Sequence, residues 1–351
     1  SSRLDFVFVP VLSFSPGETE WRFGGTARAS NHTLSHSTSP QGDLLFSDPA
    51  ALLAGRGFGR STSAPETSFP TSEFGVFASV ERALGPDVTV KLGGRFDYES
   101  VSGDGAALEP DWLTVSGLSN DVYPDAFMQI GAGGAITWAP DGASTRIHAT
   151  GSLHHGDVDT RVYHEVLAGG LGATTTTFAG SGLDWPGGEP LPSTGLPTLT
   201  LLGPDTRAPR TVNLGVGIAQ GLGQQATIFL RSSVRRTDFL MRRRNLNLPT
   251  VAQATDPNGR AVLGTLAQDG SLVTTTANDA RRFVDFGEVW SLDPDGWSEY
   301  LGLTVGLEQK SRSVELYASY TYSETTDNWI GASSGSIGSA LSPALPDTEA
   351  D

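Results

Sequence analysis

The stretch that decides the fold runs from Arg210 to Ser233, RTVNLGVGIAQGLGQQATIFLRSS. Val212, Leu214, Val216 and Ile218 alternate with Asn213, Gly215, Gly217 and Ala219. After Gly221-Leu222-Gly223 the pattern resumes, with Ala226, Ile228 and Leu230 alternating with Gln225, Thr227 and Arg231. Side chains on a strand point to opposite faces in turn, so a period of two places every apolar residue here on one face. The other face is small or polar. A glycine turn joins the two segments as a hairpin.

Working outward, the same period recurs along the chain. Leu301, Leu303, Val305 and Leu307 alternate with Gly302, Thr304, Gly306 and Glu308. Val314, Leu316, Ala318 and Tyr320 alternate with Ser313, Glu315, Ser319 and Thr321, and Tyr317 is the exception. Val88 to Tyr98, Met128 to Trp138, Arg146 to His154 and Trp21 to Arg28 alternate as well; residues 3–14 and 74–82 fit less cleanly. One such strand is weak evidence, and about ten in order are strong evidence. Short turns lie at Pro16-Gly17, Gly85-Pro86-Asp87, Pro140-Asp141-Gly142, Gly221-Leu222-Gly223 and Lys310-Ser311. Long connections lie at about 31–72, 99–125, 156–209, 236–297 and 325–351. Short turns alternating with long loops predict an all-β chain: an antiparallel transmembrane β-barrel sheet of about ten strands, with short periplasmic turns and long extracellular loops. The whole of 1–351 is read as one barrel segment. Trp21 and Trp138 near short turns, with Tyr98, Tyr300, Tyr320 and Tyr322 near the other strand ends, fit aromatic girdles, although edge packing in a soluble sandwich would also place them so.

Composition agrees. Apolar residues are 38% and charged residues 18% of the chain, both below the soluble norm of about 45–50% and 25%. The net charge of −16 argues against a nucleic-acid partner, which requires a basic surface. There is no cysteine, so no disulfide, thiolate metal site or cysteine nucleophile is possible. No run of 18 apolar residues is present for a spanning helix.

Few residues suggest chemistry. His148, His154, His155 and His164 cluster in sequence with Asp157, Asp159 and Glu165, a set that could ligate a metal but reads better as polar lumen and loop. Asp293-Pro294-Asp295-Gly296 opens like a calcium loop, lacks the closing glutamate and is read as a turn. Arg242-Arg243-Arg244 suits lipopolysaccharide phosphates or a solvated strand top. The pairs Gly24-Gly25, Gly93-Gly94 and Gly133-Gly134 lie inside strands, where they make room for packing or ease curvature. By parity Arg22, Arg28, Arg95, Asp97, Arg146, His148 and Arg231 face inward and are the candidate residues for contact with a ligand or with a plug. No catalytic residue, metal site or cofactor is assigned.

Several ordered motifs resemble one family. Residues 74–81 followed by Gly93-Gly94-Arg95-Phe96-Asp97-Tyr98-Glu99 are similar to a strand–turn–"LGLRYDYE" segment. Trp138-Ala139-Pro140 with Thr145-Arg146-Ile147-His148 is similar to a "W-x-P" turn and the strand after it. Arg242 to Asn247 resembles "RRRNLN", and Leu316 to Asn328 resembles "ASYTYSKAxDN". The chain thereby resembles, over about 70–330, the barrel of TonB-dependent outer-membrane receptors, in the subgroup with a carboxypeptidase-regulatory-like domain. The resemblance implies an outer-membrane location and active import of a siderophore, cobalamin, saccharide or peptide. It also implies partners: outer-membrane lipid, lipopolysaccharide, and the TonB complex acting through a plug domain. The family's plug, TonB-binding box and aromatic terminal strand have no counterpart here, and its barrels have 22 strands. The chain is therefore expected to be a piece of a barrel. Two rivals remain: a self-contained small barrel acting as a hydrolase through His154, His155, Asp157 and Asp159, and a passive pore.

Overall fold

The computed structural model describes residues 2–34, 37–45, 56–63, 66–102, 108–121, 126–140, 142–157, 160–168, 174–181, 189–190, 197–203, 205–223, 225–247, 254–255, 261–262, 282–311 and 314–328. Strands dominate. In chain order they begin with β1 (Ser2–Phe8), β2 (Val11–Phe14), β3 (Thr19–Leu34), β4 (Ser37–Leu45), β5 (Arg56–Ser63), β6 (Thr67–Ala83) and β7 (Val88–Val101). Helix α1 (Pro110–Ser116), β8 (Ala126–Trp138), β9 (Thr145–His155) and helix α2 (Thr160–Ala168) follow. The chain continues with β10 (Thr174–Ser181), β11 (Glu189–Pro190), β12 (Leu199–Leu202), β13 (Arg210–Leu222), β14 (Ala226–Asn245), β15 (Ala254–Thr255) and β16 (Ala261–Val262), and ends with β17 (Val289–Lys310) and β18 (Glu315–Asp327).

Twelve strands form one sheet. Its main path is β1-β3-β6-β7-β8-β9-β13-β14-β17, with β2 beside β3, β18 beside β17, and the short β12 parallel to the top of β17. Counting β1 and β2 as one interrupted strand, since both pair with β3 in one continuous register, gives the ten antiparallel staves expected. Each stave follows its chain neighbour, as a meander of hairpins must. Gly85 and Gly223 sit in two of the short turns with φ of +89° and +69°, where a side chain would be strained.

The register shows which face each residue occupies. One ladder row runs Val88, Trp138, Ile147, Ile218, Leu230, Val305, Tyr320 across seven strands. All of these but the half-buried Val88 are exposed, as are apolar neighbours on the same face: Leu214 by 56%, Val216 by 52% and Leu303 by 46%. An exposed apolar face this wide has no place in water and every place in hydrocarbon. On β13 the face runs from Leu222 to Val212. Ten steps of about 3.4 Å, tilted by about 45°, span about 24 Å, close to the lipid-facing band of such barrels.

The strands run further into the long connections than the sequence suggested. Within 236–297, β14 continues to Asn245 and β17 already starts at Val289. Within 31–72, β3 reaches Leu34, β6 begins at Thr67, and β4 and β5 pair with each other. The stretch 156–209 holds α2 and β10 to β12, and 99–125 holds α1. Polar, non-alternating sequence there suggests loop, but above the membrane a strand has no lipid-facing side and no reason to alternate. Asp293-Pro294-Asp295-Gly296 is likewise strand, inside β17. The facing strand bulges between Asp238 and Arg242, and Pro294 falls there without a ladder partner. Proline is tolerated in a sheet at such a bulge.

No ladder among the described residues joins β1 or β2 to β18, so the sheet is open. Arginine at Leu303 in the intact protein is expected to cost about 2–4 kcal/mol of folding free energy in a bilayer, whereas Thr304→Arg, one residue away on the other face, changes it by less than about 1 kcal/mol. Urea titrations of the two variants in liposomes check this, and equal effects would show that the faces are misassigned.

Candidate functional site

The face opposite the apolar belt is polar and carries the cavities. One of its rows runs Arg22, Ser79, Gly93, Gly133, Ser152, Asn213, Arg235, Tyr300, Thr325. Another runs Thr89, Thr137, His148, Gly217, Arg231, Thr304, Thr321. The same register places Arg28 beside Glu73, Asp97 beside Gly75, Arg95 beside Phe77 and Arg146 beside Ala219. All seven candidate residues thus lie on this inner face. Tyr300 lies there too, so by register it belongs to the inner wall and not to an outer aromatic girdle.

The charges on β3, β6 and β7 are matched locally. Arg22 Nε bonds Glu20 at 2.7 Å, Arg28 bonds Glu73 at 3.1 Å, Arg95 Nε bonds Asp97 at 2.6 Å, and Lys91 lies 3.6 Å from Glu81. Part-exposed pairs of this kind contribute about 0–1 kcal/mol each. They orient side chains more than they stabilise the wall.

Glycines give the wall its shape. A Cβ on Gly24 would collide with the ring of Phe77, one on Gly217 with His148, one on Gly306 with Phe229, and one on Gly75 with the Arg95–Asp97 pair. Phe77, His148, Phe229 and the Arg95–Asp97 pair thus each lie against a glycine of an adjacent strand. Tyr317, the residue that broke the alternation of its strand, turns inward and stacks on Phe229 with centroids 6.0 Å apart. Gly93, Gly131 and Gly133 instead floor an open cavity of about 500 Å³, bordered by Lys91, Arg95, Asp97 and His154. A second, of about 250 Å³, lies among Glu73, Asp97, Glu99, Gln129 and Asp157.

The histidines do not converge. His148 lies over Gly217, His154 Nδ1 is 3.3 Å from the Asn213 amide, and His164 is buried on α2 with Nδ1 2.5 Å from Thr67 Oγ1. Asp159 lies outside the described residues. Among the described residues no group of three or more histidines and carboxylates could hold a metal ion. The triple arginine is engaged within the sheet: Arg244 pairs with Asp293 at 2.8 Å, Arg242 with Asp295 at 3.5 Å, and Arg243 stacks over Trp290. Two motifs that looked separate in sequence are thus each other's counterions.

Past the belt, Phe239 carries a φ of +65° at the first of the two register shifts of β14, with Arg207 and Arg210 stacked at 4.7 and 5.0 Å from its ring. Asp238, beside it and outside the membrane-spanning part, is pushed up by burial, but hydrogen bonds from Arg236 and Arg210 outweigh this and hold its carboxyl below the usual range.

The sequence missed the packed core at the loop end. Tyr163 on α2 packs with Phe69, Val101 and Phe127, the inner-face residues at the tops of β6, β7 and β8. Val162 and Val166 on the same helix pack with Met241 and Leu292 of β14 and β17. The helix therefore braces one part of the wall against another across the strands between. Trp112 of α1, fully buried, packs with Leu199, Leu201, Phe286 and Val289. The signals were present: Val162, Tyr163, Val166 and Leu167 have the i, i+4 spacing of a helix face, and α1 opens on Pro110 and closes on Gly117 with φ of +70°. Replacing Val166 by Asp puts a charge where 2% of the side chain is exposed. Limited proteolysis of the intact protein is expected to cut 156–209 at least about tenfold faster in this variant, since burying a charge costs well over 1.4 kcal/mol; unchanged cutting would mean that the brace does not hold the connection.

Comparisons with known proteins agree with the geometry. The sequence matches the family described as outer membrane beta barrel domain over residues 2–349. No curated protein matches it. Among solved structures it is similar to the copper transporter OprC, at 10% identity and a TM-score of 0.50, over 92% of this chain and 37% of that one. It is also similar to the FrpB iron transporter from Neisseria meningitidis (11%, TM-score 0.43, 88% and 36%) and to the siderophore receptor PiuA from Acinetobacter baumannii (12%, TM-score 0.40, 94% and 39%). The chain spans little more than a third of the length of these three structures. From its family, its lipid-facing belt and its polar inner wall, the chain belongs to the outer-membrane β-barrel domain family and lies in the bacterial outer membrane.

Proposed function

We propose that this chain is part of the barrel wall of a TonB-dependent receptor and that the whole protein actively imports a ligand. The open sheet carries the reading. Ten staves end on unpaired edges among the described residues, and an edge in lipid leaves backbone donors and acceptors without partners. In this reading further strands complete the barrel, as in a 22-stranded receptor. The likeness in fold to OprC supports transport as the class, and its copper is not carried over to this chain. A wall with large side chains set against glycines of adjacent strands suits a plug packed against it, and Arg22, Arg28, Arg95, Asp97, Arg146, His148 and Arg231 are proposed to touch the plug or the passing ligand. Import needs no covalent step, so no residue is given a catalytic role.

The test is the intact mass of the native protein from the outer-membrane fraction, followed by its retention on the immobilised periplasmic domain of TonB. The reading expects a mass about twice that of this chain or more, from the ratio of strand numbers, together with retention. A native mass equal to that of these 351 residues, without retention, would favour a self-contained barrel.

A further inference from the structure

The inner wall is matched in charge on one side and unmatched on the other. Arg22, Arg28, Lys91 and Arg95 each have a carboxylate within 4.0 Å. Arg146 on β9 and Arg231 on β14 form no ion pair among the described residues. Arg235, also inward and without an ion pair among the described residues, donates to Asn213 Oδ1 at 2.8 Å, which leaves Arg146 and Arg231 conspicuous in a chain of net charge −16.

Both line one cavity of about 400 Å³ near the short-turn end of the wall, together with His148, Thr227 and Glu308. Among the described residues Glu308 is the one carboxylate in the lining, and it forms no ion pair with any of them. Arg231 is held in place. Its guanidinium lies 4.4 Å over the ring of Phe229, which is 3% exposed and rests in the space left by Gly306. A stacked guanidinium has one face covered and its N–H edge free, which is the edge that grips a carboxylate or phosphate in two-point fashion. His148 shares a ladder row with Arg231 and lies against the intervening Gly217, in the wall of the cavity. The volume is within the range of small-molecule sites, about 300–1,000 Å³.

We infer that Arg146 and Arg231 form a binding step for the anionic group, carboxylate or phosphate, of the ligand that passes along this wall. The inference rests on the import reading and narrows its substrate class to anions. Stacking on Phe229 positions Arg231, while Arg146 supplies the second charge.

The test uses the full-length protein in detergent, titrated calorimetrically at low salt with inorganic phosphate and separately with citrate. Saturable binding of either probe is expected, weakened about tenfold or more in the Arg146→Gln/Arg231→Gln double variant, because hydrogen bonds to charged groups contribute about 1.5–3 kcal/mol. Phe229→Leu is expected to weaken it less, and Arg207→Gln, at the opposite, loop end of the strands, not at all. The heat-dependent gel shift of each variant establishes that it has folded. Absence of binding to the native protein, or equal binding by the folded double variant, overturns the inference. So does a native protein that binds neither probe but loses thermal stability on Arg231→Gln, since that guanidinium then pairs with a carboxylate of the protein itself. Retention on TonB without anion binding would remove this inference and leave import standing, and anion binding without retention would do the reverse.

Discussion

Everything in this chain answers to the cost of an unpaired backbone group in hydrocarbon. A strand crossing a bilayer must find partners for its amides and carbonyls on both sides, since no water is available to take them. Each stave from β3 to β17 therefore pairs with two neighbours along its length, and only the outermost strands lack a second partner among the described residues. Once the ladders are fixed, the alternation of side chains follows. Val305 must meet lipid because Thr304 meets the interior, and a shift of one residue would exchange them.

Pairing also dictates how the inner wall is furnished. Strands lie about 4.8 Å apart, so a ring pointing straight inward from each would crowd the interior. Here the large residues lie sideways over glycines of the adjacent strand: Phe77 over Gly24, His148 over Gly217, Phe229 over Gly306. The glycines provide recesses, and the rings shield backbone that they leave bare. This arrangement keeps the cavities open and sets the guanidinium of Arg231 on a firm base.

The apolar core of the molecule is not in the membrane but at the loop end. Phe69, Val101, Phe127 and Tyr163 pack where the strands have risen past the belt and water returns as the solvent. Burial then stabilises again by the ordinary hydrophobic effect. The sequence therefore runs on two rules, apolar outward within the belt and apolar inward above it.

That change of rule explains what could be read from the sequence. The ten staves, their faces and the short turns were legible, because period two survives wherever lipid faces one side, as from Val212 to Ile218. The inward placement of Arg22, Arg28, Arg95, Asp97, Arg146, His148 and Arg231 followed from parity alone. The ends of β14 and β17, the strand through Pro294, and helices α1 and α2 did not, because above the belt a residue's surroundings depend on which connection folds over it. Tertiary structure alone decided that Arg242 and Arg244 meet Asp295 and Asp293, and that Arg146 and Arg231 meet no carboxylate among the described residues. Parity assigns a side chain to a face, but register across several strands, which local sequence does not encode, decides which charges become neighbours.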